Sequence, residues 1–367
     1  MIRAVSLVSK VLIFSVMFSE LLVMAQNNEK PNRLIEVYRS NEIITGVTTT
    51  QDGRIFLEYP HLDGSSGLRV AELQTDGSTR AYPDLSWNSW TPGDDPTRAF
   101  VRTNSIRIGP DGKLWVVDTG TPKFGAKVLR GGVKLVAIDT KTNRVARVYP
   151  LDGATSEGSF VDDVRFNGHH AYLTDAGMPA IIVLDLNTGA TRRILGRDQS
   201  TTAQRPVIAS GKVLHTVDGN EVRIHADQLE VSPNGEYLYY QALTGPMYRI
   251  ETRYVDDPSL SPTEVAGYRS LWVETPSTGG TAIDSSGTIY LSDVEKRRIL
   301  KIAPDATVNV LIEDEKLDWP DAMWIDQEGY LWLPIAQLDK IAPFQRRTSH
   351  VHLLLVIYKL HITGTPR

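Results

Sequence analysis

Six positions recur at matching places along this chain, and five of them carry an oxygen-bearing side chain. They are Gly46, Asn104, Asp163, Asp227, Thr281 and Asp321, each at the start of a short alternating segment. Three carboxylates and an amide gathered on one axis would make a hard-oxygen site suited to Ca2+ or another divalent metal. The same carboxylates, crowded by like charges, would also supply a general base, with Asp163 and Asp227 the candidates. Asp and Asn at strand starts equally serve as caps for neighbouring backbone, and that structural role competes with both chemical ones. His225, two residues before Asp227, is the histidine placed to act as acid or base. The eight histidines show no metal-binding spacing, and the pair His169-His170 reads as a solvated turn. Trp87 and Trp90 lie in the polar stretch Tyr82–Phe100 and read either as an aromatic lid over a small ligand or as packing between elements.

Several chemistries have no support. The chain has 0 Cys, so disulfides, thiolate catalysis and Cys-bound metals are excluded. It contains no G-x-S-x-G elbow, no P-loop, no G-x-G-x-x-G after a strand and no H-E-x-x-H. Lys+Arg 39 against Asp+Glu 44 gives a formal charge of −5 without a basic stripe, which argues against a nucleic-acid partner.

The elements that must position these residues are hairpins. Copies align as ITGVTTTQDGRIFLEYP (Ile44–Pro60), TNSIRIGPDGKLWVVDTG (Thr103–Gly120) and VDDVRFNGHHAYLTDAG (Val161–Gly177). Three more follow as ADQLEVSPNGEYLYYQALTG (Ala226–Gly245), GGTAIDSSGTIYLSDVE (Gly279–Glu295) and PDAMWIDQEGYLWLPIAQL (Pro320–Leu338). Asp-Gly, Asn-Gly and similar turns between alternating runs are strong hairpin signals, because Gly and Asn accept positive φ. Most copies are followed by a second hairpin, such as VKLVAIDTKTNRVARVYPL (Val133–Leu151). Four strands per unit, recurring about every 40–65 residues, predict an all-β fold, a single six-bladed β-propeller. Its blade cores are expected near 44–83, 103–151, 161–195, 226–255, 279–314 and 320–363 within residues 26–367. RLIEVY (Arg33–Tyr38) is available to close the ring, and Val351–Thr363 to supply strands of the last blade. The first strand of each blade lines the central channel, so the six recurring positions should surround one mouth. The long connections Tyr82–Phe100 and Gly196–His225 should lie over it.

Residues 1–25 differ from the rest: Arg3 and Lys10 precede the apolar run VLIFSVMFSELLVMA, which ends at Ala25 before QNNEK. That is the layout of a cleaved secretory signal, and the expected location is secreted or periplasmic, with no membrane contact after cleavage. A chain of 367 residues buries enough surface to fold without disulfides, and we expect a monomer.

Three stretches resemble the yellow and major royal jelly protein family, including its bacterial, dopachrome-tautomerase-related members: FVRTNSIRIGPDGKLWVVDTG (Phe100–Gly120), ADQLEVSPNGEYLYYQALTGPMYRIET (Ala226–Thr252) and WPDAMWIDQEGYLWLPIAQL (Trp319–Leu338). The resemblance covers about Arg33 to Gln345. It implies an exported six-bladed propeller that holds a small, sometimes aromatic, metabolite in its channel, with tautomerase-like activity in some members. The resemblance carries over no individual ligand contacts; by their place in the repeat and its loops, Asn104, Asp321, Thr281, Trp87 and Trp90 would contact such a ligand, and Asp227, Asp163 or His225 would move a proton. A more distant resemblance is to gluconolactonase and regucalcin, which implies a divalent-metal-dependent lactonase or esterase with Asn104, Asp163 and Asp227 as ligands. Their blade-one glutamate has no counterpart in Ile43-Ile44-Thr45-Gly46, and Glu42 is misplaced for it. A non-enzymatic interaction scaffold is the third reading, because the fold hosts many functions.

Overall fold

A computed structural model describes residues 33–362 and 364–366. The leader expected over residues 1–25 lies outside the described residues. Among them, no helix is long and apolar enough to cross a membrane.

Six four-stranded antiparallel sheets form the blades of a propeller. Blade one spans Gly46–Thr49, Ile55–Glu58, Val70–Leu73 and Thr79–Ala81. Blade two runs from Thr103–Ile108 to Arg144–Pro150, and blade three from Val161–Asn167 to Thr191–Ile194. Blade four begins at Ala226–Val231 and blade five at Thr278–Ile283. In blade six, Trp324–Ile325, Tyr330–Pro334 and Leu355–His361 are joined by the N-terminal strand Ile35–Ser40 as the outermost member. The Asp-Gly and Asn-Gly turns bend as their composition requires, with φ of 72° at Gly112 and 74° at Gly235.

Blade four departs from the repeat. After its third strand, Met247–Glu251, the chain forms two short helices, Thr252–Asp256 and Pro262–Gly267, and only then the outer strand Ser270–Val273. The second helix starts where Ser261, Pro262 and Glu264 make a capping box with proline at the first helical position. The blade therefore extends past residue 255, where the hairpin pattern alone had ended it.

The core lies between blades. One apolar cluster fills each of the six interfaces, for example Trp115, Leu135, Val164 and Phe166 between blades two and three. Each fully buried Leu, Ile, Val or Phe contributes roughly 1.5–3 kcal/mol, so these seams supply the cohesion that disulfides would otherwise give.

Aspartates at the ends of second strands fix where inner strands begin. The Asp118 carboxylate accepts from the backbone N–H groups of Val101 (2.8 Å), Arg102 (3.1 Å) and Gly120 (2.9 Å). Asp175 accepts from Phe160 N–H at 2.9 Å in the same way. These buried clamps hold the chain just before Asn104 and Asp162.

Candidate functional site at the upper channel mouth

The inner strands of blades two to five each contain a register shift near their start, between Thr103 and Ser105, Val161 and Val164, Ala226 and Leu229, and Thr278 and Thr281. A bulge of this kind re-aims side chains, so adjacent residues can serve different layers of the channel. Two layers result.

The lower layer is a belt of paired charges across the middle of the channel. Arg165 donates from Nη1 to Asp163 Oδ2 (2.6 Å), and from Nε and Nη2 to Glu230 (2.8 and 2.7 Å). Arg107 Nη2 reaches Asp163 Oδ2 at 3.1 Å, and Nη1 reaches the carbonyl of Met323 at 2.5 Å. Ser105 donates to Asp163 Oδ1 (2.5 Å), and Thr281 to Glu230 Oε1 (2.9 Å). Burial would raise the Asp163 pKa, but Arg107 and Arg165 outweigh it and hold the carboxyl well below its usual range.

The upper layer is a cluster of acids. Asn104 Nδ2 donates to Asp162 Oδ1 at 2.6 Å, and the Asp162 and Asp227 carboxyls adjoin each other, so the ionisation of one opposes that of the other. Gln228 Nε2 donates to Asp227 Oδ1 at 3.0 Å. Glu58, wholly buried, accepts from the hydroxyls of Thr45 and Thr103. Asp321 joins from blade six. Burial pushes Glu58 up to about 7 against the opposing Thr45 and Thr103 hydroxyls. Burial likewise lifts Asp162 to about 7. Asp227 lies well above the usual range through burial and then Asp162, and Asp321 through burial, Asp162 and Glu58. Arg102, buried beneath Phe160 with its guanidinium 5.0 Å from the ring centroid, is the cation that lowers Glu58 and Asp162.

Of the residues expected at this mouth, Asn104, Asp227 and Asp321 meet there. Asp163 and Thr281 lie one layer down, in the belt. Asp163 is tied to two arginines as an ion-pair partner, and Asp162 occupies the place foreseen for it. Glu58 was not foreseen because it sits on the second strand of blade one, opposite Gly46 in register. Gly46 makes room for it: a Cβ there would lie 3.1 Å from Glu58 Cβ. The one sequence signal was an acid in the otherwise apolar run IFLEYP.

His225 lines a cavity of about 410 Å³ on the same face, with Thr121, Phe124, Phe160, Gly177 and Ile224. Its Nδ1 accepts from Ala203 N–H at 3.1 Å, and burial lowers its pKa despite Asp175, so the ring is neutral. Phe160 and His225 each stand two residues before an acid of the cluster, Asp162 and Asp227. The tryptophans are elsewhere. Trp87 packs on Phe100 with ring centroids 5.1 Å apart in the seam of blades one and two. Trp90 is buried against Ala99 and Val101 and donates to the carbonyl of Asp94. They are packing residues, the second of the two roles the sequence allowed. The connection Gly196–His225 does cover the upper face: its Val207, Ala209, Leu214 and Val222 pack on Leu243, Val294 and Ala336 at the ends of second strands in blades four, five and six. The mouth is thus roofed on one side and pocketed on the other.

The donor set is all oxygen, which fits a hard cation. Among the described residues, however, no three of these carboxylates bring ligand oxygens within 4.8 Å of one another, so a shared ion would have to draw them inward.

The family model described as Major royal jelly protein matches residues 103–354. The chain belongs to that family. No curated protein matches it. Among solved structures, it is similar to a gluconolactonase from Xanthomonas campestris, at 13% identity over 90% of this chain and 89% of that one, with TM-score 0.56. It is also similar to the calcium-binding protein regucalcin from Agrobacterium tumefaciens (12%, 90% and 96%, TM-score 0.54). A luciferin-regenerating enzyme aligns at 9% identity over 91% and 97%, with TM-score 0.57. At such identities the likeness is one of fold.

Proposed function

We propose that this chain is an exported propeller that binds a small metabolite at its upper mouth, and that Glu58, Asn104, Asp162, Asp227 and Asp321 hold a divalent cation there, Ca2+ first. The observation that carries this is the concentration of four acids from four blades with one cation, Arg102, beside them. Added positive charge would relieve the crowding of these carboxyls, which burial and mutual repulsion push above their usual range. That regucalcin is calcium-binding supports the choice of ion. A bound ion of this kind polarises a carbonyl and activates water, the chemistry of lactone or ester hydrolysis. The chain's own residues supply the rest. Phe124 and Phe160 offer an apolar wall to the ligand body, neutral His225 stands at the rim, and the Asp162–Asp227 pair would give up its proton as the ion binds.

A second reading rests on that pair alone. Two acids sharing a proton can shift one within a bound aromatic ring, which is tautomerase-like chemistry. Thermal melts in EDTA and in millimolar Ca2+ separate the two readings. The cation reading expects Ca2+ to raise the melting temperature of the wild type and not of Asp162→Asn/Asp227→Asn. A flat response in the wild type sinks it, and turnover of dopachrome, followed by its absorbance and lost in the same variant, would then support the proton-transfer reading. Export is supported by the basic-then-apolar N-terminus and is tested by N-terminal sequencing of the secreted protein.

A further inference from the structure

Three metal-ligating side chains meet on the face of blade three opposite the acid cluster. Gly168 and His169 form the turn between the strands Val161–Asn167 and His170–Asp175, His170 opens the second of these, and Asp185 ends the next strand, Ala180–Asp185. His170 pairs with Asp185 across the sheet, and the Leu186 N–H donates to the His169 carbonyl at 2.7 Å. Strand pairing, rather than spacing along the chain, gathers them, which is why the sequence read His169-His170 as a solvated turn. One ligand atom from each lies within 4.8 Å of the other two, and among the described residues this is the one group of His, Cys, Asp and Glu to do so.

The surroundings are ordered for the purpose. Asp256, on the first helix of blade four, places Oδ1 3.2 Å from His170 Nδ1 and is itself held by the Tyr172 hydroxyl at 2.7 Å. A carboxylate behind a ligating histidine fixes the ring and its tautomer and makes it a better donor. Asp185 accepts from the N–H groups of Asn187 (2.8 Å) and Thr188 (2.9 Å) through Oδ1, which anchors the carboxylate and leaves Oδ2 for an ion. His169 is exposed, while His170 and Asp185 are half-buried, so the group is open to solvent.

We propose that His169, His170 and Asp185 bind a borderline transition metal, Zn2+ in the first instance, with Asp256 positioning His170. Two imidazoles and one carboxylate suit Zn2+, Cu2+ or Ni2+ and not Ca2+ or Mg2+, which take oxygen ligands. Three protein ligands leave a coordination position for water or an added ligand. The site is independent of the upper mouth in both place and metal preference.

The test is a Zn2+ titration of the untagged, chelator-stripped full chain against a chromophoric competitor, with Co2+ absorption as a second readout of the ligand field. The wild type is expected to take up one equivalent at this site, and His169→Ala and Asp185→Asn each to lose it. His169 is an exposed turn residue, so its replacement leaves the fold intact, which far-UV circular dichroism checks. Asp256→Asn should keep the stoichiometry and weaken affinity about 10–100-fold. Asp162→Asn/Asp227→Asn should leave this equivalent unchanged. The proposal is overturned if the wild type shows no saturable uptake, if uptake survives His169→Ala, or if uptake disappears with the mouth variant instead. Unchanged affinity in Asp256→Asn would remove Asp256 from the site.

Discussion

At the upper mouth Asp162 adjoins Asp227 and feels further acids around it, whereas one residue along the chain Asp163 lies between Arg107 and Arg165. The two aspartates have the same side chain and similar enclosure. Their carboxyls are nevertheless driven in opposite directions, one to about 7 and the other far below the usual range. Burial opposes charge at both, so the neighbours decide. In the belt, each acid is matched by a guanidinium, although the buried Arg107 Nε has no hydrogen-bond partner. At the mouth the acids outnumber their cations. One layer of the channel thus has its charges paired, and the layer above it does not.

The same substitution at the two sites gives the sharpest contrast. Asp163→Asn strips two buried arginines of their shared counter-charge and should cost about 3–5 kcal/mol, read as a lower urea midpoint. Asp162→Asn relieves repulsion and should leave the midpoint in EDTA unchanged or raised. Equal losses at both positions would erase the distinction.

A smaller effect separates the layers by pH. Glu58 and Asp162 have raised pKa values in the folded state, so folding takes up protons between about pH 4 and 7 and stability falls as pH rises through that window. Asp163, depressed, contributes stability above about pH 4 and loses it only as pH falls lower. Urea midpoints in EDTA at about pH 5, 6 and 7 should therefore decline more steeply in the wild type than in Asp162→Asn/Asp227→Asn. Parallel profiles would mean that the mouth acids do not titrate there. The smallest effect belongs to Ser105→Ala. It removes one hydrogen bond from Asp163, whose Oδ1 keeps Val164 N–H at 2.8 Å, and should cost roughly 1–2 kcal/mol with no change in Ca2+ response.

The architecture was legible because turns and alternation repeat. The six hairpin copies, their order and the closing role of the stretch around Arg33–Tyr38 all follow from period and turn chemistry, and the sheets reproduce them. The site was only partly legible, for a local reason. Alternation assigns faces correctly in a regular strand, but a bulge shifts the count by one, and bulges occur at the very residues that matter. Asp162 and Asp163 were thus exchanged, and Thr281 was set one layer too high. Glu58 and the group of His169, His170 and Asp185 depend on pairing between strands, which a linear motif does not display.

The closure of blade six has a consequence for the order in which the molecule can be completed. Ile35 pairs with Lys359 and Ser40 with Leu355, so one of the earliest ordered segments to be synthesised waits for one of the last. Five blades can zip as hairpins from local contacts, but the sixth is a meeting of distant ends and carries the largest loop-closure cost. A nascent chain halted before residue 355 would be an open arc with an unpaired edge at each end, the form most exposed to aggregation.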